Sequence, residues 1–576
     1  MKIFLKWLAG VLAVFFLLVV GIFLLISILT DTEPVVHDNT YLHIHLAGTL
    51  NEYIPPDPLE EFFGKAALDL KKVRDILEKA RVDERIVGVV LEVGYLQCGF
   101  AKMKELTNLI KLFRQSGKKI YAYLGGDVNM TRDYYVASAC DFVFMPPQSN
   151  LILPGILSEV TYYKNFFEKI GVQAEFIHIG KYKSAPDVYT RETMRPAHKE
   201  ELNELLDEIY ADIITTISTQ RRLSASEVER LINEQTGFTG KQAQQAGLID
   251  STLFFTDLPT LFKTEEEPSP ISAEDYAQIP PASLKIRNKS RIAVVHCSGT
   301  ISAGYDSEDY FLGTLAGARS LVSNLQKAAR SKLIKAIIFR IDSPGGSAAA
   351  SEVIWHAVRK ARQKKPVIVS ISDYGASGGY YVAMEGDSVI AEPTSLVGSI
   401  GIFAGKFNIK ELYKKLDLNN ESLSRGKNAR LFSIMQPWTP SEKQLIHRIL
   451  RSFYDDFVRK VATARRLSLK KAYEIAEGRV WSGKRATKIG LIDSPGHFYD
   501  AVKAAKKLAN IPEEESVRLV YYPRKKSLLT DFLSAIETRF KMMRDLKLNH
   551  IQKLAEYLQH IQNKPLALMP FRLEWR

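Results

Sequence analysis

The chain repeats itself, and that repeat limits the folds open to it more than any other feature. Gly48-Thr49-Leu50 recurs as Gly299-Thr300-Ile301, and Val89-Val90-Leu91 as Ile337-Ile338-Phe339. Tyr134-Tyr135-Val136-Ala137 recurs as Tyr380-Tyr381-Val382-Ala383, and Gly180-Lys181 as Gly426-Lys427. Gly247-Leu248-Ile249-Asp250-Ser251 recurs as Gly490-Leu491-Ile492-Asp493-Ser494. The matches keep their order, and their spacing shrinks slowly, as a few loop deletions would make it. A single core stops growing at roughly 250–300 residues. A chain of 576 residues is therefore read as two copies of one domain.

Each copy follows the same plan. A strand (Tyr41–Leu46; Arg291–His296) precedes a basic helical stretch, then a short apolar run (Ile86–Leu91; Ala336–Ile341), a helix, and a further strand (Lys119–Leu124; Pro366–Ile371). Continuous apolar runs between helical patterns predict parallel strands covered on both faces. The alternation predicts an α/β fold with right-handed crossovers. Each copy closes with a long helix, Ala197–Arg221 or Ser441–Arg465, and the Gly-Leu-Ile-Asp turn. The expected division is an N-terminal anchor at 1–33, a first repeat at 34–263, a linker at 264–285, a second repeat at 286–511 and a basic helical tail at 512–576. The linker reading rests on Glu265-Glu266-Glu267 with Pro268, Pro270, Pro280 and Pro281, a composition expected of exposed chain. The tail reading rests on Leu533, Ile536, Phe540 and Met543, then Leu554, Leu558 and Ile561, at helical spacing.

The anchor is Trp7–Leu29, an apolar run without charge whose length suits a bilayer core about 30 Å thick. Lys2 and Lys6 precede it, Asp31 and Glu33 follow, and no Ala-x-Ala cleavage pattern ends it. The positive-inside bias predicts a cytoplasmic N-terminus with the remainder across the membrane. In a bacterium that is a single-pass inner-membrane protein with a periplasmic catalytic part. The net charge of +13 then favours an anionic membrane surface as partner. Nucleic acid is set aside, because zinc-finger spacing and aromatic RNA-binding motifs are lacking. Cys98, Cys140 and Cys297 are too few for a disulfide framework and read as free thiols. His43 and His45 alternate on one strand but lack the further ligands a metal needs, so neither metal nor cofactor is expected.

The chemistry is divided between the copies. Ser377 lies in Gly375-Ala376-Ser377-Gly378-Gly379-Tyr380, between a strand and a helix. Small residues permit a sharp turn that exposes the hydroxyl, and a helix start beside it offers N–H groups to a developing oxyanion. Asp342-Ser343-Pro344-Gly345-Gly346 follows the preceding strand. An oxyanion hole needs two converging donors: Gly378 N–H is expected to be one, and Gly345 or Gly346 N–H the other. The first copy has Thr131-Arg132-Asp133 where the second has Ser377-Gly378-Gly379. It carries instead Gly180-Lys181-Tyr182-Lys183-Ser184-Ala185, and Ala429 occupies the Lys183 position of the second copy. A serine needs an adjacent base, and a buried lysine loses its charge. No histidine lies in either motif, so a Ser-His-Asp triad has no base here.

Asp-Ser-Pro-Gly-Gly, Ala-Ser-Gly-Gly-Tyr-Tyr and Leu396-Val397-Gly398-Ser399-Ile400-Gly401 resemble the signal peptide peptidase family of the protease IV type, within the Clp-protease and crotonase superfamily. Gly-Lys-Tyr-Lys-Ser-Ala resembles the lysine motif of its long, duplicated members. The resemblance spans nearly the whole chain. It implies an α/β fold of two tandem Clp-protease/crotonase-like domains after a transmembrane helix. It implies Ser377 as nucleophile, Lys183 rather than Lys181 as base because Lys183 precedes Ser-Ala, and Ser399 as a hydroxyl bonded to the lysine. It also implies peptide substrates such as cleaved signal peptides, and a homotetramer. Two alternatives need neither Ser377 nor Lys183: a crotonase-like acyl-CoA enzyme, and a non-catalytic membrane scaffold.

Overall fold

The computed structural model describes residues 34–55, 68–284, 289–309, 312–523 and 565–569, with Trp7, Gly10, Val14 and Gly21 as isolated positions. The expected anchor, apart from those isolated positions, and the helical spacing over 533–561 lie outside the described residues. Among the described residues no helix is long and apolar enough to cross a membrane.

Each half is built on a mainly parallel sheet. In the first, the strand order is Ser269–Ser272, Thr40–Thr49, Ile86–Gln97, Lys119–Tyr123, Phe142–Met145 and Ser251–Thr252, with every pairing parallel. In the second, Ser290–Ser298, Ile334–Ser343 and Val367–Ala376 run side by side in parallel, flanked by Val517–Tyr522 and Leu396–Gly398. The strands are apolar along their length because both faces are covered: Val89, Val90, Ile337 and Ile338 are all fully buried. The covering helices are one-sided. Leu70–Val82 buries Leu70, Val73, Ile76, Leu77 and Ala80, and Asp69 caps it by accepting from Lys72 N–H. Ala318–Arg330 buries Leu321, Leu325 and Ala328 in the same manner.

The duplication extends to individual hydrogen bonds. Tyr134 Oη donates to Leu248 O at 2.6 Å, and Tyr380 Oη to Leu491 O at 2.7 Å. The Gly-Leu-Ile-Asp aspartates accept from Val143 N and Val389 N, both at 2.7 Å. Each is also paired with the arginine ending the long helix, Arg221 or Arg465.

A shared sheet and a buried ionic cluster are among the contacts that join the halves. Strand Gln173–Ile179 of the first runs antiparallel to Ile402–Asn408 of the second, from Ile179 opposite Ile402 to Gln173 opposite Asn408. A buried ionic cluster spans the boundary. Glu52 accepts from Arg340 at 2.8 and 3.0 Å, from Arg74 at 3.0 Å and from Ser372 at 2.9 Å. Glu105 joins both guanidiniums, and Lys102 pairs with Asp342 and Asp373.

Two stretches differ from expectation. The acidic, proline-rich linker is part of the first half: Ser269–Ser272 adds an edge strand and Ala273–Gln278 a helix whose Tyr276 is buried. Tyr276 Oη donates to Asp83 at 3.0 Å, and Lys79 Nζ donates to the Tyr276, Ala277 and Ile279 carbonyls. Ile271 and Tyr276 anchor the stretch, and the prolines around them conceal it. The tail is not wholly helical either: Val517–Tyr522 extends the second sheet, and Leu566–Leu568 is a strand. His43 and His45 both lie against Glu92, at 3.0 and 3.2 Å, and no metal-holding group of His, Cys, Asp or Glu occurs among the described residues. The three cysteines are free.

Candidate active site

Ser377 sits where strand Val367–Ala376 gives way to helix Gly378–Ala383. Its φ of +55° is a conformation that costs a side-chain-bearing residue about 1–3 kcal/mol. The turn is held by Ser377 N–H donating to Gly398 O at 2.7 Å and Tyr381 N–H to Ser377 O at 2.8 Å. Crowding explains the glycines. A Cβ at residue 379 would stand 2.4 Å from Ser343 O, and one at residue 378 would stand 2.6 Å from Ser351 Oγ and 3.1 Å from Gly346 N.

Gly345 and Gly346 take φ values of +101° and +155° to bend the Asp-Ser-Pro-Gly-Gly turn against Ser377. The Gly345 N–H donates to Ser343 Oγ at 3.2 Å. Of the three expected donors, Gly345 is therefore engaged elsewhere, and the amides left to converge are those of Gly346 and Gly378.

The lysine arrives from the other half. Strand Gln173–Ile179, hydrogen-bonded to the second half, ends at Gly180 (φ +115°), and Lys183 follows shortly after. Lys183 is completely buried. Its Nζ lies 2.7 Å from Ser377 Oγ, 3.0 Å from Ser399 Oγ and 3.2 Å from Ser399 O. Burial holds its pKa well below the ordinary lysine value, against the opposing pull of the Glu201 carboxylate. Glu201 is itself pushed up by burial to about 8, despite the Val480 N–H, Arg479 and Lys183. Lys181, the rival base, is exposed, with its Nζ 3.3 Å from Tyr182 Oη. The structure thus brings Ser377, Lys183 and Ser399 together within one chain and leaves Lys181 outside.

Several supporting residues carry no local signal in the sequence. Arg195 donates to the Lys181 and Lys183 carbonyls at 3.0 Å each and pairs with Asp187. Gly478 (φ +75°) abuts the lysine backbone: a Cβ there would stand 2.6 Å from Lys183 N. A Cβ at Gly401 would stand 3.1 Å from Lys183 Cδ. The Gly478 and Gly401 contacts join residues hundreds of positions apart, which only the folded chain displays.

The corresponding corners of the copies are closed. In the first half Asp133 accepts from Leu96 N–H at 2.9 Å and Met130 N–H at 3.1 Å, so a carboxylate fills the corner where the second half has Gly379. In the second, Lys427, Ala429 and Arg430 lie on an exposed stretch. One pair is assembled from two halves. A hydroxyl beside an amine whose pKa burial lowers can pass its proton to that amine while attacking a carbonyl, with nearby amides receiving the oxyanion.

Comparison with known proteins agrees with this chemistry. The model of peptidase family S49 matches residues 112–267 and 359–512, once in each half. The chain is 34% identical over 490 residues to a chloroplastic serine protease, SPPA, of Arabidopsis thaliana, covering 83% of this chain and 71% of that protein. It is 30% identical over 453 residues to Protease 4 of Salmonella typhi, covering 76% and 71%. The match to Protease 4 of Haemophilus influenzae is 29% over 458 residues, covering 77% and 73%. The acyl-CoA and scaffold alternatives give way to these matches: the chain belongs to peptidase family S49, carries that domain twice in tandem, and is a serine peptidase.

Proposed function

We propose that the chain is a membrane-anchored endopeptidase in which Ser377 is the nucleophile and Lys183 the general base, acting on hydrophobic peptides such as signal peptides already released from their precursors. The observation that carries the reading is the 2.7 Å separation of Lys183 Nζ and Ser377 Oγ in a fully buried site. Neutral Lys183 takes the Ser377 proton as Oγ attacks the substrate carbonyl carbon. The Gly378 and Gly346 amides receive the oxyanion. The C–N bond breaks, the amine leaves with the proton from Lys183, and a water repeats the sequence to release the acid. Ser399 accepts from the lysine throughout and aims it.

The remaining parts of the proposal rest on sequence. The run Trp7–Leu29 with its flanking charges supports an inner-membrane anchor and a periplasmic catalytic part. The resemblance to long, duplicated signal peptide peptidases supports the substrate class and a homotetramer. The test uses the full chain in detergent with a fluorogenic hydrophobic peptide and a serine-reactive fluorophosphonate. The probe labels Ser377. Ser377→Ala and Lys183→Met each lower kcat by about four orders of magnitude or more with thermal melts unchanged. Full activity in either variant would end the assignment, and equal turnover of a signal peptide and a polar peptide would end the substrate class.

A further inference from the structure

A single turn of the second half supports both the lysine loop and Ser399. Residues 477–480 lead from helix Leu469–Ile475 into strand Val480–Ser482, whose Val480 stands opposite Gly398. Glu477 O accepts from Tyr182 N–H at 2.7 Å, and Glu477 Oε2 from Lys181 N–H at 2.8 Å. Gly478 N–H donates to Ile400 O at 2.8 Å, and Arg479 O accepts from Ser399 N–H at 2.7 Å. Gly398, paired with Val480, in turn accepts from Ser377 N–H. Whatever fixes this turn fixes the distance from the amine to both hydroxyls.

One carboxyl holds the turn from the first half. Glu201 lies on helix Pro196–Arg221 and is 1% exposed. Its Oε1 accepts from Val480 N–H, and its Oε2 is buried with no hydrogen-bond partner among the described residues. Glu200, Glu204 and Glu208 of the same helix take the guanidiniums of Arg479 and Arg485. The charged groups that face Glu201 are Arg479 on the turn, Arg195 at the head of its own helix, and Lys183. Arg195 is paired with Asp187. His198, also on the helix, is kept neutral by burial and by Arg195, with its pKa lowered to about 4. Glu201 is the charge that opposes the burial of Lys183. An enclosed carboxyl with an unused oxygen is costly, and such groups gather where a reaction needs them.

We propose that Glu201 is a positioning residue for the Ser377–Lys183 pair: it fixes the turn behind Lys183 and Ser399 through Val480 N–H, and its carboxylate offsets the charge that Lys183 acquires. This rests on Lys183 being the general base. When Ser377 Oγ bonds to the substrate carbonyl carbon, its proton passes to Lys183 Nζ, and an ammonium forms in a fully enclosed site. Unpaired charge there is costly, and a nearby carboxylate lowers that cost where the ammonium exists, in the transition state. Burial pushes Glu201 up to about 8, so the carboxyl is neutral in acid and gains its charge as the pH rises past that value. The offset therefore grows with pH. The hold on Val480 operates in both forms, because a neutral carboxyl still accepts through its carbonyl oxygen. Glu201 acts through the amine and not on the peptide, so its effect falls on kcat and not on KM.

Two substitutions separate the hold from the charge, read by steady-state kinetics of the full chain in detergent on the fluorogenic hydrophobic peptide. Glu201→Gln keeps an acceptor for Val480 N–H and cannot ionise. Its deficit in kcat is expected to be about tenfold larger at about pH 9.5 than at about pH 6, with KM unchanged. Glu201→Ala loses the hold as well. Its kcat is expected to drop about 100-fold at both pH values, most of which glutamine at this position restores at about pH 6. Where the alanine variant does not fold, Glu201→Gln decides alone. A Glu201→Gln deficit equal at both pH values, a change in KM in place of kcat, or wild-type kcat in Glu201→Ala overturns the proposal. Lys183→Met decides the underlying reading: inactive beside any of those results, it leaves the dyad standing, and fully active, it overturns the dyad and the proposal with it.

Discussion

Ser399→Ala examines the base without removing it. A neutral Lys183 amine has one lone pair and two N–H bonds. The lone pair serves Ser377 Oγ at 2.7 Å, and the acceptors for the two N–H bonds are Ser399 Oγ at 3.0 Å and Ser399 O at 3.2 Å. Alanine removes one acceptor in a site too buried for water to replace it at no cost, because Lys183 is fully enclosed. A buried donor left without a partner costs about 1–3 kcal/mol. Lys183 becomes an ammonium as it takes the serine proton, so the loss is felt most in the transition state. It corresponds to about 5- to 150-fold in kcat, with KM little changed because Ser399 touches the base and not the peptide. The pH profile gives a second reading. Activity needs neutral Lys183, whose pKa burial already holds low, so the rate rises with pH through that lowered value. Ser399 Oγ favours the charged form, so its removal lowers the lysine further, and the acid limb of kcat moves to lower pH while the plateau falls. Steady-state kinetics between pH 5 and about 10, the upper end being near the ordinary lysine value, measure both. A kcat within twofold of wild type together with an unmoved acid limb would refute the reasoning.

Gly478→Ala would set a Cβ 2.6 Å from Lys183 N and 2.7 Å from Lys183 Cβ at a φ of +75°. The displaced lysine loop is expected to cost about 100-fold in kcat, and a circular-dichroism spectrum like that of wild type would show that the fold survives. Glu52→Ala leaves Arg74 and Arg340 facing each other with Glu105 alone between them, which is expected to lower urea stability at neutral pH by about 3–5 kcal/mol. Burial would raise the Glu52 pKa, but Arg340 and Arg74 outweigh it and hold it far below the carboxylate range. Glu52 therefore stabilises the fold above the unfolded-state value of about 4.3, and that contribution is lost as pH falls below it. The gap in urea midpoint between wild type and Glu52→Ala should be full at pH 6 and narrower at pH 3.

The strands of the duplicated plan were legible because each is an apolar run that no exposed segment would carry, as in Val89-Val90-Leu91 and Ile337-Ile338-Phe339. The division of the site was legible because each copy lacks what the other keeps: Thr131 stands where Ser377 recurs, and Ala429 where Lys183 does. Other features could not be read in this way. Ser269–Ser272 and Val517–Tyr522 become strands only because each has an open sheet edge to pair with. The proposed oxyanion pair depends on which glycine N–H is already taken, and Ser343 Oγ takes that of Gly345. Glu201, Arg195 and Gly478 meet the lysine through tertiary packing, and nothing in their local sequence marks them.

The antiparallel pairing of Gln173–Ile179 with Ile402–Asn408 sets when proteolysis can begin. Synthesis releases the lysine-bearing half first and the serine-bearing half afterwards. Until the later strand has been made and zipped onto the earlier one, the amine has no route to the hydroxyl. A nascent chain that stops short of Ile402–Asn408 therefore lacks the strand that holds the proposed base against the proposed nucleophile.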